Sequence, residues 1–258
     1  MKYFENCRIV SQEEISPGIF DMNLQTADIA GICRPGQFVM VYPQDGKRIL
    51  PRPISICGAD PESRTLRLVY RVTGPNTGTG EFSGYVSGDM IRISGPMGNG
   101  FDMDISGDET VLIAGGGIGI PPMLFTARNL NCKKVIVLGY RSDTFLAGEF
   151  GQNGDVFIAT EDGSCGTPGN VLDAIRENGL KADRVYACGP KPMLRALASW
   201  AEANGIPCYI SLEERMACGI GACLSCVCGS RETDAHTNVR NKRVCKDGPV
   251  FLSTEVEL

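Results

Sequence analysis

The stretch "CGIGACLSCVC", residues 218 to 228, holds four cysteines in eleven positions and constrains this chain more than any other segment. Its spacing, Cys218-x4-Cys223-x2-Cys226, with Cys245 following in "RVCKDGPVF", is that of a plant-type 2Fe-2S loop. Gly219, Gly221 and Ala222 lie between the thiols, and residues this small let the backbone wrap closely and aim N–H groups at sulfur. Zinc sites usually pair two C-x2-C knuckles, whereas Cys223-x2-Cys226 stands alone with no histidine pair after it. Zinc, and ordinary buried or redox thiols, remain the alternatives on spacing alone. Cys228, two positions past Cys226, cannot join the same iron pair without a different loop and is read as a neighbour. His236, the only histidine, is read as a polar loop residue, because a Rieske-type centre needs two.

Twelve cysteines in 258 residues are many for a reducing compartment and too few for a disulfide scaffold, which again points the tight subset toward metal. The length suits two domains and an appendage. A net charge of -5 and the lack of a dense Lys/Arg patch argue against nucleic acid or an anionic membrane as partner. The start, "MKYFENCRIV", has no apolar core of a signal peptide, and "VLIAGGGIGIPPMLF" is too short and too broken by Gly and Pro to span a bilayer. A cytoplasmic protein is expected.

The first hundred residues read as short strands with Gly, Pro and Asp turns at intervals of about ten, the pattern of a small antiparallel barrel. After Phe101 the texture changes to buried strands ("TVLIAGG", "KKVIVLGY", "DVFIAT", "RVYAC") alternating with helical stretches. That alternation predicts a doubly wound α/β domain with a parallel sheet, which takes ligands at the carboxyl ends of its strands. The expected parts are residues 1–101, 102–210 and 211–258, the last being the cluster-binding subdomain.

Four further motifs carry chemistry. In Arg52-Pro53-Ile54-Ser55, an arginine suited to gripping phosphate precedes a serine able to hydrogen-bond a ring, although a strand-edge turn with a solvated Arg fits as well. The strand Val69-Tyr70-Arg71 runs toward a turn at Gly78-Thr79 whose amides suit a pyrophosphate. Gly115, Gly116, Gly117 and Gly119 form a glycine-rich strand-to-helix turn without the G-x-G-x-x-G fingerprint, and Tyr140, Arg141 and Ser142 stand where its usual acid belongs. Tight packing is the alternative there. "ACGPKPML" repeats the strand-to-helix geometry at Cys188, Gly189 and Pro190, where Cys188 taken alone reads as a buried thiol.

In order, R-P-x-S, G-G-x-G-I-x-P (116–122) and C-G-P-x-P-M resemble the ferredoxin-NADP reductase superfamily, an FAD-binding barrel followed by a nicotinamide-binding domain. With "ERMACGIGACLSCVC" and "VCKDGPVF" added, the likeness is to the electron-transfer subunits of NAD-dependent dihydroorotate dehydrogenases. That resemblance implies FAD on Arg52, Pro53, Ile54, Ser55, Val69, Tyr70, Arg71, Gly78 and Thr79. It implies NAD, rather than NADP, at Gly116, Gly117, Gly119, Gly189 and Pro190. Ser55 and Cys188 would stand beside the hydride transfer, and Cys218, Cys223, Cys226 and Cys245 would bind the 2Fe-2S cluster.

The implied partner is an FMN-containing catalytic subunit, two copies of each chain forming a heterotetramer. Electrons would run from dihydroorotate through FMN, cluster and FAD to NAD, in pyrimidine synthesis. No (β/α)8 pattern is present, so dihydroorotate itself must be oxidised elsewhere. The same cofactors would also suit a reductase subunit of a sulfite reductase, hydrogenase or ferredoxin-NAD(P)H transhydrogenase complex. A nucleotide-sensing module with a zinc knuckle is the non-enzymatic alternative.

Overall fold

Alternating apolar residues in the first hundred positions close into a six-stranded antiparallel barrel. Its strands are β1 (Tyr3–Ser16), β2 (Ile19–Gln25), β3 (Phe38–Tyr42), β4 (Arg52–Asp60), β5 (Thr65–Arg71) and β6 (Met90–Met97), in the closed order β1-β2-β5-β4-β3-β6. Two short helices, α1 (Ile29–Ile32) and α2 (Gly78–Phe82), sit in its connections. The computed structural model describes residues 2–233 and 238–258; His236 lies outside them. Alternation decides which way each side chain faces. On β3, Val39 and Val41 fill the barrel, while Phe38 and Met40 turn outward into a second core.

The next segment interleaves β7 (Thr110–Gly116), α3 (Ile120–Asn129), β8 (Lys133–Tyr140), α4 (Ala147–Phe150), β9 (Asp155–Thr160), β10 (Thr167–Pro168), α5 (Val171–Glu177), β11 (Arg184–Cys188), α6 (Lys191–Ala203) and β12 (Cys208–Ser211). Apolar runs such as Val111–Ala114 and Ile136–Leu138 are wholly buried, as strands covered on both faces must be. Three more strands follow: β13 (Val227–Gly229), β14 (Asn241–Arg243) and β15 (Val250–Leu252). The sheet order is β10-β9-β8-β7-β11-β12-β15, parallel except for the last pair. Strand β15, from the expected C-terminal segment, pairs with β12 and completes the sheet edge.

From β7 the chain winds outward to β8, β9 and β10, then crosses back to β11 on the other side of β7. The topological switch point thus lies between β7 and β11, where ligands bind in sheets of this kind. Helix α3 leaves this point and packs across β4, burying Phe125 in the barrel core. Among the described residues no helix is long and apolar enough to cross a membrane.

Candidate active site and cluster loop

The β4–β5 ladder ends at the pair Ile56–Leu68. Beyond it, Arg52–Ser55 and Val69–Arg71 belong to neighbouring strands but are unpaired with each other, leaving an open seam in the barrel wall. The Arg52 guanidinium donates only to the Leu50 and Pro51 carbonyls, at 3.1 and 3.4 Å, and has no carboxylate partner among the described residues. Its side chain runs along Gly78, where a Cβ would stand 3.0 Å from the Arg52 Cγ. Thr79 is buried, and its hydroxyl accepts from the Thr73 amide at 3.1 Å. An unpaired guanidinium beside a close-packed glycine turn suits a pyrophosphate.

Within that seam the other expected residues divide. The side chains of Val69 and Tyr70 are committed to packing: Val69 joins the core beneath the α/β unit, and Tyr70 lies inside the barrel with its hydroxyl donating to the Gln12 Oε1 at 2.9 Å. Only their backbones remain for a ligand. Pro53, Ile54 and Ser55 are half-buried on β4. Arg71 is exposed and reaches the other unit, its Nη2 lying 3.5 Å from where a Gly117 Cβ would stand.

At the switch point Cys188 pairs with Gly115 across the sheet. A Cβ at Gly119 would overlap the Cys188 carbonyl, and one at Gly116 would stand 2.5 Å from the Met193 Sδ and 3.1 Å from the Pro190 Cδ. Glycine is required at both positions by close approach, so the two expected nucleotide motifs are brought into direct contact. Cys188 is buried, and burial first, then the nearby Glu213 carboxylate, push its thiol far above the ordinary range. It stands there as a neutral thiol. Among the described residues Ser55 makes no hydrogen bond to it.

Glu213 is the residue that sequence reasoning missed. It follows β12, beside Cys188, in surroundings dense enough to push its carboxyl up, against which Arg71 pulls it down. Its side chain nonetheless reaches solvent, as a group on a cleft wall does. The available signal was an acid directly after the last parallel strand. To one side of the switch point, a cavity of about 510 Å³ opens beyond β8 and β9, lined by Ser142, Asp143, Thr144, Asp162 and Ser164. Arg141 is exposed and lies 3.9 Å from Glu161.

The four expected cluster cysteines stand as two pairs. The Cys218 sulfur accepts from the amides of Ile220 and Cys223 at 3.5 and 3.4 Å and hydrogen-bonds the Cys223 thiol. The Cys226 sulfur accepts from the Cys245 amide at 3.4 Å. Burial alone would raise the Cys218 thiol; the backbone amides outweigh it and bring it down to about 6. Two thiol pairs with amides aimed at sulfur fit a two-iron centre, each iron taking one pair.

Gly219 holds a positive φ of 67° and packs against Met40 of β3, seating the loop on the outer wall of the barrel. Cys228 faces the other way, its thiol donating to the Lys242 carbonyl at 3.6 Å across β13 and β14. Cys228→Ala is therefore expected to keep its full complement of iron, which metal analysis of the purified variant checks.

A family profile described as the iron-sulfur cluster binding domain of dihydroorotate dehydrogenase B matches residues 213–257. The electron transfer subunit of dihydroorotate dehydrogenase B (NAD(+)) from Listeria monocytogenes serovar 1/2a is 44% identical over 97% of this chain and 98% of its own. Those of Fusobacterium nucleatum and Caldanaerobacter subterraneus are 39% and 41% identical, over 98% and 99% of each chain. The chain belongs to this family of electron transfer subunits.

Subunits of this family are flavin and iron-sulfur oxidoreductase components that work with a separate catalytic subunit. Among solved structures, an NADH-dependent reduced ferredoxin-NADP oxidoreductase superposes with a TM-score of 0.87 at 28% identity, covering 98% of this chain and 90% of that one. The ferredoxin reductase of carbazole 1,9a-dioxygenase, at 18% identity and a TM-score of 0.68 over 80% of this chain and 67% of that one, shares the fold.

Proposed function

We propose that this chain carries electrons from the FMN of a dihydroorotate-oxidising subunit, through a 2Fe-2S cluster and FAD, to NAD in pyrimidine synthesis. The observation that carries this reading is the pair of thiol pairs, in a loop that Gly219 seats against Met40 of the barrel, with the seam and the switch point in the same chain. Bound FAD supplies the exchange between hydride pairs and single electrons, and the cluster supplies one-electron steps. Arg52 and the Gly78–Thr79 turn hold the FAD pyrophosphate, while Ser55 and the freed backbone of β4 and β5 orient the ring. Gly116 and Gly119 let the strand-to-helix turn close on Cys188, Pro190 and Met193, and NAD would lie across that turn, with Gly117, Gly189 and Pro190 lining its path. Cys188, kept neutral by burial, would stand near the nicotinamide and flavin without adding a charge there.

NAD is favoured over NADP because Asp143 and Asp162 line the cavity beyond β8 and β9. The Ser164 hydroxyl and amide hold the Asp162 carboxyl below its usual range, so it stays anionic and repels a 2'-phosphate. The parts divide as an FAD barrel through Phe101, a nicotinamide unit to Ile210 and a cluster segment thereafter. Ile220 and Leu224 are 53% and 58% exposed on the cluster loop beside the exposed Cys223, a surface suited to the catalytic subunit in a heterotetramer with two copies of each chain.

The test is reconstitution. The chain alone is expected to pass electrons from NADH to artificial acceptors and to leave dihydroorotate untouched. Mixing it with an FMN-containing dihydroorotate dehydrogenase subunit should start NAD reduction by dihydroorotate, read at the NADH absorbance. Turnover of dihydroorotate by the chain alone would overturn the assignment.

A further inference from the structure

Strand β5 turns Arg67, Val69 and Arg71 toward the α/β unit, two residues apart as alternation along a strand requires. Val69 is buried there with Val111 and Ile113, and Arg71 ends beside Gly117. Arg67, about 13 Å back along the strand, meets two carboxylates of different origin. Its Nε and Nη2 donate to the Asp21 Oδ2 of β2 at 2.9 and 2.6 Å. Its Nη1 and Nη2 donate to the two oxygens of Glu149, on α4, at 2.7 and 2.8 Å. Glu149 accepts a further bond from Arg128, in the last turn of α3, at 2.6 Å.

Among the described residues, Arg67–Glu149 is the only ion pair that joins the strands of the barrel to the α/β sheet unit. The Arg67 side chain is 19% exposed and that of Asp21 only 6%, so solvent screens that pair weakly, while Glu149, at 34%, stands closer to the solvent. The Arg67 bonds, ahead of opposing burial, hold the Glu149 carboxyl well below its usual range. A guanidinium meeting a carboxylate through two parallel bonds has a defined direction. The apolar contacts between the units, such as Phe125 in the barrel core, have none, because hydrophobic burial is non-directional. Packing holds the units together; the fork decides how one slides on the other.

Hydride transfer is sensitive to such sliding, since reacting atoms must meet at about 3 to 3.5 Å and a misplacement of about 1 Å costs on the order of a hundredfold. On the reading above, on which this inference rests, the flavin belongs to the barrel and the nicotinamide to the α/β unit. We infer that Glu149 is a positioning residue for hydride transfer: by clamping Arg67 it sets the register in which Arg71, on the same strand face, meets Gly117 and Glu213. The step so positioned would move a hydride, with both its electrons, from reduced FAD to NAD, and the assay below runs the same step in reverse, from NADH to FAD. Glu149 itself exchanges nothing.

Glu149→Gln keeps the side-chain shape and removes the charge. In the cofactor-loaded chain, reduction by NADH followed in a stopped-flow instrument is expected to slow about tenfold. FAD and iron per chain should be unchanged, and the long-wavelength absorbance of stacked nicotinamide and flavin should fall. Amide hydrogen exchange over Thr65–Arg71 and Ala147–Phe150 should quicken in the variant with cofactors and without them. Arg128→Gln, which removes only the outer bond on Glu149, should give a smaller change in the same direction. Unchanged reduction rates in both variants would overturn the inference. So would a slower rate that appears only together with lost FAD, which would make the group a structural brace. A parent chain that NADH cannot reduce would overturn the functional reading itself, before any variant is compared.

Discussion

Cys223→Ala is expected to lose essentially all of its iron, from about two atoms per chain, and with it all reduction of NAD by dihydroorotate in the complex with the FMN subunit. Cys223 is exposed on the loop, so alanine there removes nothing from a core. Its backbone amide still reaches the Cys218 sulfur, and the lost group is the thiol paired with Cys218. The same variant should still pass electrons from NADH to artificial acceptors, because the seam on the barrel and the switch point lie outside the loop. Iron analysis, the visible spectrum and the two assays side by side check this. Iron retained at the parent level, or dihydroorotate turnover undiminished without it, would remove Cys223 from the ligand set and the cluster from the route.

Arg52→Ala is expected to weaken FAD retention by roughly one to two decades, the equivalent of about 1.5 to 3 kcal/mol for a lost charge-assisted contact. The effect should be confined to the flavin, since Arg52 lies along Gly78 on the barrel and no described contact ties it to the α/β unit. Flavin fluorescence released on dilution gives the affinity, and NADH titration of the FAD-saturated variant gives the second value. Equal FAD content in parent and variant would move the flavin off this seam. Comparable losses of FAD and NADH affinity would instead point to a general disturbance of the fold.

Patterns with a short repeat were legible in the chain itself. Alternation marked the barrel strands, and strand-to-helix alternation marked the α/β unit, because burial on one face or both leaves a period that residue types reveal. The cysteine spacing was legible for a different reason: a small inorganic centre accepts ligands from one tight loop only at certain separations. Side-chain direction at a single position was not legible. Tyr70 turns into the barrel and Arg71 out of it because of the β2–β5 register, which residue types at 69 to 71 leave unspecified. The strand β15 was missed because three residues are too few to show a period. Glu213 and Glu149 were missed because their meaning comes from partners far away in the chain: Arg71 and Cys188 for the first, Arg67 for the second.

Ser211 and Val250 face each other where β12 pairs with β15, so the chain leaves the sheet after Ser211 and rejoins it at Val250, at one place. A segment closed at its base and seated on Met40 has no free tether on which to swing. The separation between its thiols and the flavin seam is then a constant of the hydrogen-bond register and not an outcome of diffusion. On the proposed route, single electrons would cross a gap set by the fold, with no search by one part of the chain for another.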